Sequence, residues 1–186
     1  LAVLAARNCL EFPLVKIEQQ RLEDWQVRER SFDLVLFAQS FHWMDREQAF
    51  AKAAAALVRS GWLALFWNNP LPVESRLFEE IQHAYEKYTP GLGRYTAEVL
   101  ESRIEARRRH VEGSELFGPV ELRRYAWEAR YSAADYVRLL ETHSDHMALP
   151  EATRERLFAG IVEAIERAGG TFVKPHVAVL YLAPRA

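Results

Sequence analysis

Two short stretches carry the residue types that could do chemistry. Gln39-Ser40-Phe41-His42-Trp43 sets a histidine between two aromatic rings, and Trp67-Asn68-Asn69 sets two amides behind a third. His42, with an ordinary pKa of about 6.5, suits either a general base or a hydrogen-bond donor to an acidic or hydroxyl group. It could equally cap the helix that follows. Trp43 and Trp67 could wall a small or cationic ligand or serve only as packing. Asn68 and Asn69 could orient a polar ligand, or simply suit the turn into Pro70.

A second cluster, Thr142-His143-Ser144-Asp145-His146, places two histidines and a carboxylate within four residues. A metal there would need ligands from elsewhere, and no cysteine lies nearby, so a helix end with a loop is the better account. Arg107, Arg108 and Arg109 form a basic run beside Glu101 and Glu105, which reads as a charged solvent face and not as a nucleic-acid surface. No Gly-x-Ser-x-Gly elbow and no Cys–His pair points to covalent hydrolysis.

The elements that must position these residues can be read around them. Phe32 to Ala38 is a nearly unbroken apolar run, the pattern of a strand buried on both faces of a parallel sheet. Asp45, with Gln48 three residues on, opens a helix whose apolar face is Phe50, Ala53, Ala54 and Leu57. Gly61 is placed to end that helix in a left-handed turn. Trp62 to Trp67 is a second apolar strand. Residues 32–70 are thus a βαβ unit with two parallel strands, and ligands of open parallel sheets bind at the carboxyl ends of the strands. Those ends are Gln39–Trp43 and Trp67–Asn69.

Elsewhere, Leu1 to Arg7 reads as helix and Val15/Ile17 as a half-exposed strand. Residues 71–119 read as a helical insertion, with helices at 74–88 and 98–110 separated by the Gly91-x-Gly93 turn. Residues 120–186 read as a strand at 120–127, a short helix at 136–141, a long amphipathic helix from Pro150 closed by Gly169-Gly170, and a last strand at 172–182.

The run FDLVLFAQSFHWMD, followed by a helix and SGWLALFWNNP, resembles the second half of a class I S-adenosylmethionine (SAM)-dependent methyltransferase. The closest likeness is to the small-molecule branch with an HW pair after the fourth strand. It extends upstream through VKIEQQRLEDW and downstream through YSAADYVRLLETHSDHMALP to GGTFVKPHVAVLYLA. The family's glycine-rich loop and the acidic residue ending its second strand have no counterpart. The resemblance implies a Rossmann-like α/β fold, an open and mostly parallel sheet with helices on both faces, its last strand inserted antiparallel. It also implies that the N-terminal βα units, roughly 60 residues, are missing ahead of Leu1.

SAM is the cofactor this resemblance implies. Arg21, Leu22 and Glu23 fall at the turn that meets adenine, Arg21 standing where many members have Asp. Ala38 and Gln39 fall where backbone groups meet the methionine part. Trp43, Trp67, Asn68 and His143 fall on the side of a small-molecule acceptor, with His42 as catalytic candidate and no metal. The function implied is methyl transfer to a small molecule. The alternative is a catalytically inactive fragment that serves as a structural or self-association module, its exposed sheet edge pairing with a second copy to give a homodimer. A nucleotide-binding α/β protein without methyl transfer fits less of the pattern.

Composition sets the outer bounds. The 186 residues suffice for one domain with a real core, and 49% hydrophobic with 27% charged residues is an ordinary globular balance. A net charge of −2 gives no reason to expect nucleic acid. No apolar run approaches the ~20 residues of a membrane span, and the lone Cys9 can close no internal disulfide. A cytoplasmic protein is expected.

Overall fold

The computed structural model describes every residue except Leu1, Gly91, Gly93 and Arg94, so the start of the first expected helix and the Gly91–Gly93 turn lie outside the described residues. Strand β1 (Phe32–Ala38) leads through a 3-10 turn (Phe41–Trp43) to a helix, Arg46–Ala56, and then to strand β2 (Leu57–Pro70). That helix is α2, preceded by α1 (Ala2–Asn8). Asp45 caps α2 as its sequence suggests, the carboxylate accepting from the Gln48 N–H at 2.8 Å. β1 and β2 pair in parallel, Val35 opposite Leu63 and Phe37 opposite Leu65.

Gly61 does not end the helix. α2 closes at Ala56, and Leu57 already has extended backbone. Gly61 lies inside β2, at an irregularity where the register jumps from Phe32–Leu57 to Leu34–Trp62. A Cβ there would meet Leu57 Cβ and the Val58 carbonyl at 3.0 Å, so close backbone approach, not a left-handed turn, accounts for the glycine.

Downstream come α3 (Arg76–Tyr88), α4 (Ala97–Glu112), β3 (Glu121–Ser132), α5 (Ala133–Leu140), α6 (Ser144–Met147), α7 (Glu151–Arg167) and β4 (Thr171–Pro184). The sheet order is β1-β2-β4-β3. β4 runs antiparallel to both β2 and β3. Three of the four strands therefore point one way and only β4 is reversed, the mostly parallel sheet expected.

One face of the sheet, made by Leu63, Leu65, Trp67, Val179 and Tyr181, joins Phe50, Ala53 and Ala54 of α2 and Leu100, Ile104 and Val111 of α4 in a single apolar cluster. The opposite face receives α3, α5 and α7, whose cluster includes Ile81, Tyr136, Leu157 and Ile161 around Phe172 of β4. Helices thus lie on both faces. Toward β1 that second face stays open: Leu34, Leu36 and Trp62 are exposed, so β1 is not buried on both faces as its apolar run suggests, because no helix of the described residues covers it there. Gly169 and Gly170, at φ +104° and +77°, close α7 as expected.

The strand expected at Val15/Ile17 does not form. Residues 11–31 are irregular, and both side chains are exposed. Alternation favours a strand only when a ladder partner exists, and among the described residues β1 pairs with β2 alone. No helix of the described residues is long and apolar enough to cross a membrane.

Candidate functional site

The tips of β1 and β2 meet through their own backbone. After Ala38 the chain turns at Gln39, whose φ of +53° is the left-handed region that a non-glycine residue seldom occupies. In this conformation the Gln39 N–H donates to the Phe66 carbonyl at 3.1 Å, and its side-chain amide donates to the Asn68 carbonyl at 3.4 Å. Phe41 then turns inward between Phe37 and Phe50, with ring centroids 5.2 and 4.7 Å away. Anchoring Phe41 leaves its neighbours His42 and Trp43 facing solvent, Trp43 at 68% exposure.

Trp67, only 4% exposed, ties the tips together. Its indole N–H donates to His42 Nδ1 at 3.1 Å. Because Nδ1 accepts, the neutral imidazole carries its proton on Nε2 and presents a donor outward. Partial burial, and then the charge of Arg107, hold the His42 pKa below its ordinary 6.5, so this neutral form is favoured near pH 7.

Arg107 is the residue that sequence reasoning misplaced. It sits on α4 with its guanidinium 4.2 Å from the Trp67 ring centroid, and one of its N–H groups donates to Asn69 Oδ1 at 3.4 Å. The basic run divides: Arg108 pairs with Glu105 and Glu112 on the surface, and Arg109 reaches Glu105 at 3.9 Å. Arg107 alone continues the inward stripe Leu100, Ile104, Val111. That 4-3-4 spacing was the available signal. Asn69 is buried and its amide donates to the Trp67 and Val177 carbonyls, while Asn68 is exposed. Tyr181, packed edge-on against Trp67, holds a buried hydroxyl without a hydrogen bond of regular geometry among the described residues.

Trp67 and Arg107 stand between two clefts. The first, of about 920 Å³, is lined by Phe41, His42, Arg46, Arg107, Arg109 and His110, among others. The second, of about 970 Å³, runs from Gln39 and Asn68 past Tyr95 to Tyr85, His143 and Lys174. Of the expected site residues, the structure brings His42, Trp67, Gln39, Asn68 and His143 to these clefts. Trp43 and Ala38 lie beside the tips without lining either.

Arg21, Leu22 and Glu23 also line neither. Their turn is fastened to α2 by Lys52, whose ammonium donates to the carbonyls of Leu22, Glu23 and Trp25 at 2.8, 2.7 and 2.9 Å. Arg21 and Glu23 pair with each other at 3.5 Å. The first glycine of the sequence is Gly61, so residues 1–31 contain no glycine-rich loop.

At the far end of the second cleft, ligating atoms of His143, Asp145 and His146 lie within 4.8 Å of one another. Both nitrogens of the buried His146 are already engaged, Nδ1 with Asp145 Oδ1 at 2.7 Å and Nε2 with the Tyr85 hydroxyl at 2.7 Å. Burial pushes the Asp145 carboxyl upward, but hydrogen bonds from His146 and the nearby histidine charges together outweigh it and hold the pKa below its ordinary value. A carboxylate only accepts, so Nδ1 bears the proton, and in the neutral ring Nε2 accepts from Tyr85. Burial drives the Tyr85 pKa far upward, which keeps its phenol a donor. A metal would have to break this chain of hydrogen bonds.

Against this geometry, residues 2–65 match the family model described as a methyltransferase domain. A proposed type II methyltransferase from Anaeromyxobacter dehalogenans has the same fold, with a TM-score of 0.53 at 20% identity over 96% of this chain and 74% of its own. The YcgJ protein of Bacillus subtilis aligns with a TM-score of 0.47 at 14% identity, over 99% of this chain and 77% of its own. Geranyl diphosphate C-methyltransferase of Streptomyces coelicolor aligns at 0.42 and 15% identity, over 100% and 59%. A comparison with curated proteins finds no match. Residues 2–65 are thus similar to a methyltransferase domain, and the chain shares its fold with the Anaeromyxobacter protein.

Proposed function

We propose that the intact protein, of which these 186 residues are the later part, transfers a methyl group from SAM to a small-molecule acceptor that approaches the tips of β1 and β2. The observation that carries the reading is the joining of those tips by Gln39 and by the Trp67–His42 hydrogen bond, in a chain whose residues 2–65 match the methyltransferase domain. SAM supplies a methyl group on a sulfonium, activated for direct displacement. What the protein must add is alignment of the acceptor and exclusion of water.

His42 does the first by donating from Nε2 to an oxygen of the acceptor. With Nδ1 occupied by Trp67 and the ring held neutral, it positions the acceptor as a donor and does not remove a proton from it. Trp43, Trp67, Asn68 and His143 form the acceptor side of this reading. Ala38 and Gln39 face the methionine part of the cofactor, and Arg21, Leu22 and Glu23 its adenine. The acceptor is small, nucleic acid and membrane are not partners, and the protein works in the cytoplasm.

The test is transfer of labelled methyl from SAM to a panel of small acceptors. Label should appear in a small molecule, and His42→Ala should lower turnover more than it lowers the melting temperature. An unchanged rate with a lowered melting temperature would assign His42 to structure alone. The 186-residue chain by itself should give no saturable heat with SAM in calorimetry, because residues 1–31 supply no glycine-rich loop as backbone partner for the cofactor's carboxylate and ribose. Micromolar affinity would contradict that.

A second reading is favoured by one observation, the exposure of Leu34, Leu36 and Trp62 beside the free edge of β1. In it the chain is an inactive methyltransferase-like module that pairs with a second copy through this edge. It requires a dimer in sedimentation that Leu36→Lys dissociates, and no methyl transfer.

A further inference from the structure

Three consecutive arginines on one helix have different surroundings. Arg108 and Arg109 face carboxylates of their own helix, whereas no carboxylate among the described residues lies within ion-pair distance of Arg107. Arg107 is half-buried, and its guanidinium offers five N–H donors. Among the described residues its one hydrogen bond of regular geometry is the long contact to Asn69 Oδ1, and the Tyr181 hydroxyl also lies beside the guanidinium. The stacking on Trp67 explains where the guanidinium lies, and is worth on the order of 0.5–2 kcal/mol. It leaves the donors in the plane of the group unfilled, since a ring face takes up none of them. A half-buried cation with no carboxylate beside it is a ready partner for an anion, which gains a charge-assisted hydrogen bond there.

The surroundings favour an anion in the first cleft. Arg46 and Arg109 line it with Arg107, and His42 and His110 add two further nitrogen-bearing rings. Two carboxylates, Asp45 and Glu47, line the same cleft, but Asp45 is occupied in capping α2. The pKa of His110 is held down by burial and by the charges of Arg46 and Arg109, as expected where cations converge. Burial raises the Tyr181 pKa, and Arg107 lowers it through hydrogen bonding and then through its charge, so one guanidinium donor approaches the Tyr181 hydroxyl and the others remain for a ligand.

We propose that Arg107 anchors an anionic group, a carboxylate or a phosphate, in the cleft beside His42, and that the methyl acceptor is an anionic small molecule held by that group. The site stands on the geometry of Arg107; its role in acceptor choice rests on the methyltransferase reading. The planar guanidinium can take two oxygens of such a group side by side, and His42 Nε2–H lines the same cleft as a further donor.

Inorganic phosphate and benzoate, titrated separately into the full chain at constant chloride, distinguish the two anion types. At least one should bind saturably and shift the Trp67 indole N–H resonance, assigned with Trp67→Phe. Arg107→Gln should weaken that binding about tenfold or more, the loss expected for a charged hydrogen bond. Arg107→Lys, which keeps the charge but not the fork, should weaken it several-fold, and serves if the glutamine variant fails to fold. Arg108→Gln should bind as the parent does. Absence of saturable binding by both anions, or equal binding by the parent and both Arg107 variants, overturns the site. Anion binding through Arg107 without methyl transfer to any acceptor by the intact protein would leave the site standing and remove the methyltransferase reading. Methyl transfer to anionic acceptors that Arg107→Gln leaves unchanged would overturn the acceptor assignment alone.

Discussion

Gln39 shows how much of the site depends on one backbone angle. Its left-handed φ of +53° turns the chain off the end of β1, and the Gln39 N–H and side-chain amide then both reach β2. A β-branched residue tolerates that angle poorly, and strain of this kind costs on the order of 1–3 kcal/mol. Gln39→Val should therefore lower unfolding free energy in urea by about 1–2 kcal/mol, while Gln39→Gly should cost less or stabilise. If valine proved as stable as glycine there, the left-handed turn would not be required. None of this was visible in the letters, because glutamine carries no signal for positive φ. The convergence of His42 and Trp67, by contrast, was legible, since both fall at carboxyl ends of strands that the βαβ pattern makes neighbours. Arg107 was hidden by Arg108 and Arg109: read as a run, the three look like a solvated face, and only the spacing from Leu100, Ile104 and Val111 separates the one that points in.

Among elements, the βαβ unit was readable because each of its parts has a local cause: apolar runs for the strands, Asp45 and Gln48 for the helix start. The segment before it was not, because its order comes from a distant side chain. Lys52 projects from α2 into the turn at 21–25 and satisfies three carbonyls that would otherwise need water. Such a long-range contact leaves no periodic trace. Lys52→Met keeps the stem but deletes the three donors. Amide exchange at residues 21–25 should then accelerate at least tenfold, with protection of β2 and β4 unchanged, since those strands pair independently of the turn. Equal exchange in both proteins would show that Trp25, tilted against Phe32 with ring centroids 6.2 Å apart, holds the turn unaided. The misplaced role of Gly61 has a similar origin. A glycine after a helical stretch usually marks a C-cap, but here the sheet takes up the chain immediately after Ala56, and what the fold needs at Gly61 is room.

For the whole molecule, the histidines set the response to acid. His42, His110, His143 and His176 all have pKa values below the ordinary 6.5, burial being the largest cause in each. His176 is buried with its ring stacked on Trp127 at 4.4 Å, and His42 is held by Trp67 in a form that protonation of Nδ1 would break. A histidine with a depressed folded-state pKa binds its proton more readily when unfolded, so the unfolded chain takes up more protons and stability rises with pH. The contribution is complete above 6.5 and is lost as pH falls from 6.5 through the lower folded-state values. Asp145, Glu101, Glu105 and Asp135 also have depressed values, which act in the same direction but only near and below the ordinary carboxyl range. The two groups separate on the pH axis: loss beginning near 6.5 belongs to histidine, and loss confined to below about 4.5 belongs to carboxylates. Melting temperature measured at fixed ionic strength should be level from about pH 8 to 7 and should already have fallen at about pH 5.5. His176→Phe, which keeps a ring against Trp127 without a titrating nitrogen, should flatten part of that slope. A melting temperature constant down to about pH 5 would mean that these rings bind protons equally well in the folded and unfolded chain, and the Trp67–His42 hydrogen bond could not then be what fixes the donor in the cleft.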